Sequence, residues 1–176
     1  MATWSSRGLR GSQFEEMINA SNEKYRSLQM ALVQKIPTPI TPVEMDDERH
    51  ITLAYFERRS TVDYIGIVQG WAVCFDAKEC AADTFALANI HEHQYQFMKD
   101  FERQDGISFL LIYFSKKHSF YYMRFSEMDR FYKRAAETGP KHIKYEELSP
   151  EYFISPCADV QVHYLEALNK DLAERK

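Results

Sequence analysis

The residues best suited to chemistry in this sequence flank one short turn. Thr61 and Asp63 precede Gln69-Gly70, and Asp76 and Lys78 follow it. If Gln69-Gly70 is a two-residue hairpin turn, Asp63 lies opposite Asp76 and Thr61 lies opposite Lys78. Because side chains alternate along a strand, these four side chains point to one face of the sheet, and the largely apolar residues between them point to the other.

Two carboxylates that face each other directly repel and would destabilise the hairpin. A divalent cation between them removes this conflict. Hard oxygen ligands of this kind suit Mg²⁺, with Mn²⁺ as a substitute and water completing the shell. Lys78 could orient or deprotonate a water, or stabilise charge that builds up on a phosphate. The pattern therefore predicts a hydrolytic site for phosphodiesters, although Asp–Asp–Lys groups on sheets are also common as surface ion-pair clusters.

The helix predicted after the hairpin adds another polar group. Gln94 falls on the apolar stripe of that helix, four residues after Ile90. A glutamine that faces the sheet needs a hydrogen-bond partner or a ligand, so we expect Gln94 to lean over the metal and hold one of its waters. Glu15 is interpreted first as the fourth residue of a capping box that begins at Ser12.

Histidine and cysteine residues are assigned to structure rather than to chemistry. His91 and His93 are two positions apart on the predicted helix, which separates them by about 200° and prevents them from sharing a zinc ion. The chain has three cysteines and no CxxC pair, which excludes a disulfide framework and a CxxC zinc site. We expect Cys74 and Cys80 to be small core residues.

The apolar patterning predicts a mixed α/β domain in which helices cover the sheet. The predicted elements are a helix over 12–32, strands over 51–56, 61–68 and 71–78, a helix over 88–104, strands over 107–114 and 120–125, a short helix over 126–139 and a last helix over 159–174. Prolines open the segment 37–50, which then turns acidic and is predicted to be a protruding stalk or loop rather than a second domain.

Length and composition restrict the class of protein. The chain has 176 residues, of which 45% are hydrophobic and 27% charged, and this suits a single globular domain over 1–176 and excludes disorder as the main state. The net charge of −4 argues against one large basic face that coats nucleic acid. Since no bilayer-spanning run and no secretory signal are found, we expect a cytoplasmic protein with reduced cysteines and no membrane partner.

Several short motifs, taken in order, resemble the RecU family of Holliday junction resolvases. These motifs are Arg10-Gly11, Phe14-Glu15, Asn22, Pro37-Thr38-Pro39, Ala54-Tyr55-Phe56, Ser60-Thr61-x-Asp63-Tyr64-x-Gly66, Phe75-Asp76-Ala77-Lys78-Glu79, Phe85-x-Leu87-x-Asn89-x-His91-x-His93-Gln94 and Asp105-Gly106-Ile107. The resemblance implies the restriction-endonuclease-like core of the PD-(D/E)xK nucleases, a mixed central sheet flanked by helices. That fold agrees with the predicted element order.

The resemblance also implies an activity and a site. It implies a homodimer that places paired symmetric nicks in a four-way DNA junction during recombination and repair. The implied metal ligands are Thr61, Asp63, Asp76 and Gln94. Lys78 would stabilise the transition state, Glu15 would lie near the active site, and the segment 37–50 would be a stalk that inserts at the junction centre. A recombinase is retained as a candidate partner.

Two departures from the family pattern keep alternatives open. The family usually has glutamate where this chain has Asp76, although the D-x-K form is common in the wider superfamily. The acidic stalk segment is unfavourable beside phosphates. The alternatives are a branched-DNA-binding or recombinase-regulating protein with an idle nuclease site, and a PD-(D/E)xK nuclease that acts on other DNA.

Overall fold

A computed structural model describes residues 13–56, 61–157 and 159–175. The described chain is mixed α/β, as predicted. Its helices are α1 Gln13–Ser27, α2 Glu92–Glu102, α3 Phe125–Ala136 and α4 Tyr164–Glu174. Its strands are β1 Ala31–Lys35, β2 Ile40–Met45, β3 Ile51–Phe56, β4 Tyr64–Val68, β5 Trp71–Cys80, β6 Thr84–Ala86, β7 Ile107–Phe114, β8 Ser119–Arg124, β9 His142–Lys144 and β10 Phe153–Ile154.

Six strands form the central sheet in the order β1-β4-β5-β7-β8-β10. β5 and β7 run parallel, and α2 lies between them in the chain, whereas the other neighbouring strands pair antiparallel. Helices α1 and α4 cover one face, and α2 and α3 cover the other. This mixed sheet between two helical layers is consistent with the restriction-endonuclease-like core.

The core beneath α4 contains a row of stacked aromatic rings. Tyr64, Phe75, Phe109 and Tyr122 lie on the adjacent strands β4, β5, β7 and β8, with neighbouring ring centroids 4.7, 4.7 and 4.3 Å apart. Tyr164 of α4 packs over the middle of the row, 5.3 Å from Phe75. Each such pair contributes about 0.5–1.5 kcal/mol beyond the area it buries. The row therefore ties the β4–β5 hairpin firmly to the rest of the sheet.

The hairpin forms in the predicted register. Tyr64 lies opposite Phe75, and the strands remain paired down to the turn. Gln69 and Gly70 form this turn with φ values of 46° and 93°. Positive φ at both central positions belongs to the type I′ turn, whose twist matches that of the paired strands. The strand β4 nevertheless begins at Tyr64 and not at residue 61 as predicted.

The first helix is shorter than predicted. It ends before Leu28, and Leu28 and Leu32 are 54% and 59% exposed instead of continuing the buried stripe. Gln29 adopts φ 56°, and the amide of Met30 donates to the carbonyl of Tyr25, as in a Schellman motif. Glycine usually fills this left-handed position. Because glutamine fills it here, the sequence carries no recognisable stop signal, and β1 was missed.

The segment 37–50 falls in a separate two-stranded sheet, β2 with β3, which pairs with no strand of the central sheet among the described residues. Its exposed apolar side chains are Ile40, Val43, Met45, Ile51, Leu53 and Tyr55. A lone two-stranded hairpin is marginally stable in water, so such a surface favours contact with another molecule.

The remaining differences from prediction are at element ends and in short strands, including β10, that were not predicted. α2 begins at Glu92 rather than at residue 88, because Leu87–Asn89 forms a separate 3-10 turn. α4 begins at Tyr164 rather than at residue 159. The short strands β6 and β9 pair in a small sheet of their own that was not predicted. In the ranges that the structure describes, no helix combines the length and apolarity needed to cross a membrane.

Candidate active site

Asp76 lies within β5, on the sheet face that α2 covers, and it is fully buried. Burial disfavours the charged carboxylate, and the nearby Asp63 disfavours it further, while Lys78 has the opposite effect. The net result raises the pKa of Asp76 from 3.8 to about 7. A buried carboxylate of this kind is stable as an anion only when positive charge lies beside it.

Lys78 and Gln94 both contact Asp76. Lys78 Nζ lies 2.5 Å from Asp76 Oδ2, and Gln94 Nε2 donates a hydrogen bond to Asp76 Oδ1 at 2.7 Å. Lys78 Nζ also donates to Gln94 Oε1 at 3.2 Å, which closes the triangle. The structure thus brings together three of the residues singled out from the sequence, and Gln94 is buried as its place on the helical stripe suggested.

Gln94 is held by the start of α2. Its Oε1 accepts a hydrogen bond from the backbone N–H of His91 at 3.1 Å, and its own backbone N–H donates to the His91 carbonyl at 2.9 Å. The first turn of a helix has unpaired N–H groups that seek such acceptors. One side chain therefore satisfies the helix start and fixes the position of Lys78 and Asp76.

Asp63 reaches the site from the residue just before β4. Its Oδ2 accepts a hydrogen bond from the backbone N–H of Ala77 at 2.9 Å, and its carbonyl accepts one from Ile36 at 2.7 Å. A side chain that bonds to a neighbouring backbone in this way competes with strand pairing. This explains why the regular pairing of β4 with β5 stops at Tyr64, although Asp63 and Asp76 still interact.

Thr61 does not lie opposite Lys78 in a strand, as the extended pairing predicted. It is exposed and lies in the bend that leads to Asp63. The prediction of strand pairing at Thr61 is therefore wrong, and the side-chain bond of Asp63 is the physical reason. A ligand role for Thr61 stays a prediction.

Glu15 lies on α1 at the border of the site. Its Oε2 forms an ion pair with Lys35 Nζ at 2.9 Å. Burial, and then the carboxylates of Glu15, Asp63 and Asp76, raise the pKa of the Tyr64 hydroxyl, so the negative charge of all three acids acts on this buried tyrosine. Sequence reasoning did not find Lys35 as a neighbour of Glu15, because β1 was missed. The capping box proposed for Glu15 requires Ser12, which lies outside the described residues.

The donor atoms fit a hard divalent cation. Asp76 Oδ2 is buried and accepts no hydrogen bond among the described residues, although Lys78 Nζ lies 2.5 Å away as its ion-pair partner. The described ranges hold no group of three or more His, Cys, Asp or Glu side chains suited to a metal. A cation would therefore rely on Asp63, Asp76, neutral oxygens and water, which is the ligand set of Mg²⁺ and Mn²⁺.

His91 and His93 differ from prediction in their geometry. His91 precedes α2 instead of lying within it, so the two rings stack at 5.4 Å with an interplanar angle of 11° rather than pointing apart. The cysteine predictions are confirmed for Cys74 and Cys80, which are buried, whereas Cys157 is exposed. Burial raises the pKa of the Cys74 thiol, which keeps it protonated and unreactive.

We expect the metal-free protein to lose stability as pH rises from about 4 to about 7. The folded state retains the proton of Asp76 up to a pKa of about 7, whereas the unfolded chain releases it near the ordinary value of 3.8. The folded state thus binds more protons across this window, so the free energy of unfolding falls as pH rises. Thermal melts at pH 5 and pH 8 measure the effect.

The same melts test metal binding. Millimolar Mg²⁺ added at pH 8 should raise the melting temperature, because a ligand that binds only the native state stabilises it. Asp76→Asn carries no charge to bury. This variant should therefore show a smaller loss of stability as pH rises and a smaller rise in melting temperature with Mg²⁺. An equal Mg²⁺ response in wild type and Asp76→Asn would contradict the assigned site.

Comparison with known proteins gives one consistent result. The family model described as Recombination protein U, RecU, matches residues 9–170. The Holliday junction resolvase RecU of Staphylococcus carnosus is 38% identical over 169 residues, covering 93% of this chain and 81% of the relative. The proteins of the same name from Leuconostoc mesenteroides and Pediococcus pentosaceus are each 37% identical and cover 94% and 93% of this chain, and 83% and 84% of their own lengths.

Proposed function

The chain belongs to the RecU family of recombination proteins, and we propose that it is an endonuclease that resolves four-way (Holliday) DNA junctions in recombination and repair. The observation that carries this proposal is the contact triangle of Asp76, Lys78 and Gln94, with Asp63 beside it. A buried and a half-buried acid next to a lysine form the arrangement that metal-dependent phosphodiester hydrolysis requires.

The site would hold Mg²⁺, with Mn²⁺ as a substitute, and the bound cation would supply an activated water and polarisation of the scissile phosphate. Asp63 and Asp76 would hold it through their carboxylates, and Gln94 and Thr61 would supply neutral oxygens or bind its waters. The neutral donors keep the site from becoming so negative that it repels the DNA backbone.

Lys78 acts on the phosphate. Its side chain is 17% exposed, and its ammonium group neutralises Asp76 in the free protein. As charge develops on the phosphoryl oxygens, the same group stabilises it without first having to be oriented, since Gln94 already holds it. Glu15, paired with Lys35, would position the DNA strand that enters the active site.

Paired nicks require two active sites. One such site cuts one strand, so a resolvase acts as a symmetric pair, and we propose a homodimer related by a two-fold axis. The β2–β3 hairpin, with its exposed apolar side chains, would enter the open centre of the junction as a stalk. We further propose that the protein works beside the recombinase on DNA in a bacterial cytoplasm, as its bacterial relatives support.

Cleavage of a labelled four-way junction beside a linear duplex of the same sequence tests the proposal. We expect paired symmetric nicks in the junction alone, with Mg²⁺ and again with Mn²⁺. Cutting of both substrates would instead indicate a general PD-(D/E)xK nuclease. Junction binding without any cutting would indicate a protein whose nuclease site is idle.

A further inference from the structure

A row of lysines lies beyond the site described above. Lys116 and Lys117 follow β7, Lys144 ends β9, and Lys141 precedes β9. Lys117 Nζ lies 4.7 Å from the centre of the Tyr145 ring, and Tyr145 directly follows Lys144 in the chain. These four lysines are exposed, and we call them the basic ridge.

Most of the charge on this ridge has no acidic partner. Lys117 pairs with Asp83 at 3.4 Å, whereas Lys116, Lys141 and Lys144 form no side-chain ion pair in the described ranges. Glu147 is the acid beside Lys144: it accepts a hydrogen bond from the Lys144 backbone N–H at 2.8 Å, and its pKa is lowered mainly by Arg134 and further by Lys144. Glu146 is the exposed acid nearest to them in the chain. The cations that line the neighbouring open groove of α3 are all neutralised, in the pairs Arg130–Glu127, Lys133–Asp129 and Arg134–Glu147. Unneutralised lysines therefore concentrate positive potential at one place on a chain of net charge −4.

The ridge is connected to the active site from two sides. The strand β5 carries Asp76 and Lys78, and its end leads within a few residues into β6, which pairs with β9. On the other side, the backbone N–H of Leu87 donates to the carbonyl of Lys141 at 3.1 Å, and the turn that begins at Leu87 leads to Gln94. The ridge thus lies past the ends of β5 and β7 nearest Lys78.

We propose that the basic ridge binds backbone phosphates of the DNA arm whose strand enters the active site. This proposal rests on the proposed function. The Cα atoms of Lys141 and Lys144 are at most about 10 Å apart, the length of three residues of extended chain, and one DNA strand presents about three phosphates over this rise. Because side chains alternate along an extended chain, the two lysines start on opposite sides of it, and their long flexible stems would bring both ammonium groups to one arm. Lysine binds phosphate as a flexible point charge and reads no sequence, so the ridge positions the arm rather than selecting bases.

The test uses Lys141→Gln with Lys144→Gln, introduced into Asp76→Asn protein so that the junction stays uncut during binding. The matched control is Lys24→Gln with Lys170→Gln in the same background, because these lysines lie on α1 and α4, over the opposite sheet face. Binding constants for the junction and for a single linear arm are measured over a series of salt concentrations.

A plot of the logarithm of the association constant against the logarithm of salt concentration has a negative slope. The loss of two phosphate contacts should make this slope shallower by about 1.8, for the junction and for the single arm alike. At about 0.1 M salt this corresponds to a loss of affinity of roughly 10- to 100-fold. The control should keep the parent slope, and Lys141→Arg with Lys144→Arg should also keep it, since the charge is retained. Melting temperatures confirm that all variants are folded.

Two failures can be told apart. If wild type cuts junctions but the ridge variant keeps the slope of the control, the ridge proposal is overturned and the proposed function stands. If wild type neither cuts nor binds junctions, the proposed function fails, and the ridge proposal fails with it. A lower slope in the ridge variant alone supports the proposal.

Discussion

Asp76→Asn should slow junction cleavage by about 10³-fold while the protein remains folded. Asparagine matches the shape of aspartate and keeps an oxygen for the hydrogen bond from Gln94 Nε2, now made at 2.7 Å to Oδ1. It loses the charge that binds the cation and balances Lys78. Metal-ion catalysis contributes several kcal/mol to transition-state stabilisation, which corresponds to a factor of this size.

The measurement is the single-turnover rate on a labelled junction, together with a thermal melt. Asp105→Asn is the matched control, because it makes the same chemical change at an exposed position where φ is 58°, a conformation that asparagine accepts readily. The control should cut at the wild-type rate. Full activity in Asp76→Asn would remove Asp76 from the mechanism.

Lys78→Met should reduce the cleavage rate by about 10²- to 10³-fold, the usual loss when one preorganised transition-state group is removed. Methionine keeps most of the apolar stem but removes the ammonium group, and with it the contacts to Asp76 and Gln94. Because Asp76 then lacks a positive neighbour, metal-free Lys78→Met should also melt at a lower temperature than wild type at pH 8.

Metal binding distinguishes the role of Asp76, which holds the cation, from the role of Lys78, which acts on the phosphate. Lys78→Met should keep the rise in melting temperature with Mg²⁺, or even increase it, because the cation replaces the missing charge beside Asp76. Lys170→Met, at an exposed position on α4, controls for the substitution itself. If Lys78→Met lost its response to Mg²⁺ as Asp76→Asn should, Lys78 would act through metal binding and not on the phosphate.

The sequence was sufficient to predict the hairpin register because two independent patterns agree there. The turn at Gln69-Gly70 and the alternation of apolar residues lead to the same pairing, with Tyr64 opposite Phe75. Gln94 could be placed because a polar residue stands out on an apolar helical stripe. The same pairing puts Trp71 on the largely apolar face, where it is nevertheless 47% exposed because it lies next to the turn, at the end of the sheet.

Other features depend on interactions that have no local signature. The end of α1 relies on Gln29 in a left-handed conformation, which glutamine rarely adopts. The predicted helix therefore continued into the residues that form β1. The start of β4 depends on Asp63 bonding to Ala77, a residue 14 positions away. His91 and His93 were misplaced for a similar reason, since a 3-10 turn interrupts the helical pattern before α2.

The turn at Gln69-Gly70 has a consequence for how this chain can change over evolutionary time. It lies six residues from Asp63 and six from Asp76, or roughly 20 Å along the strands. A substitution between the turn and these acids alters one side chain, but a single inserted or deleted residue would turn an acid to the opposite face of the sheet. Substitutions at exposed positions of this hairpin, such as Ile67, therefore leave the two acids in place, whereas changes in length are confined to the connections outside it.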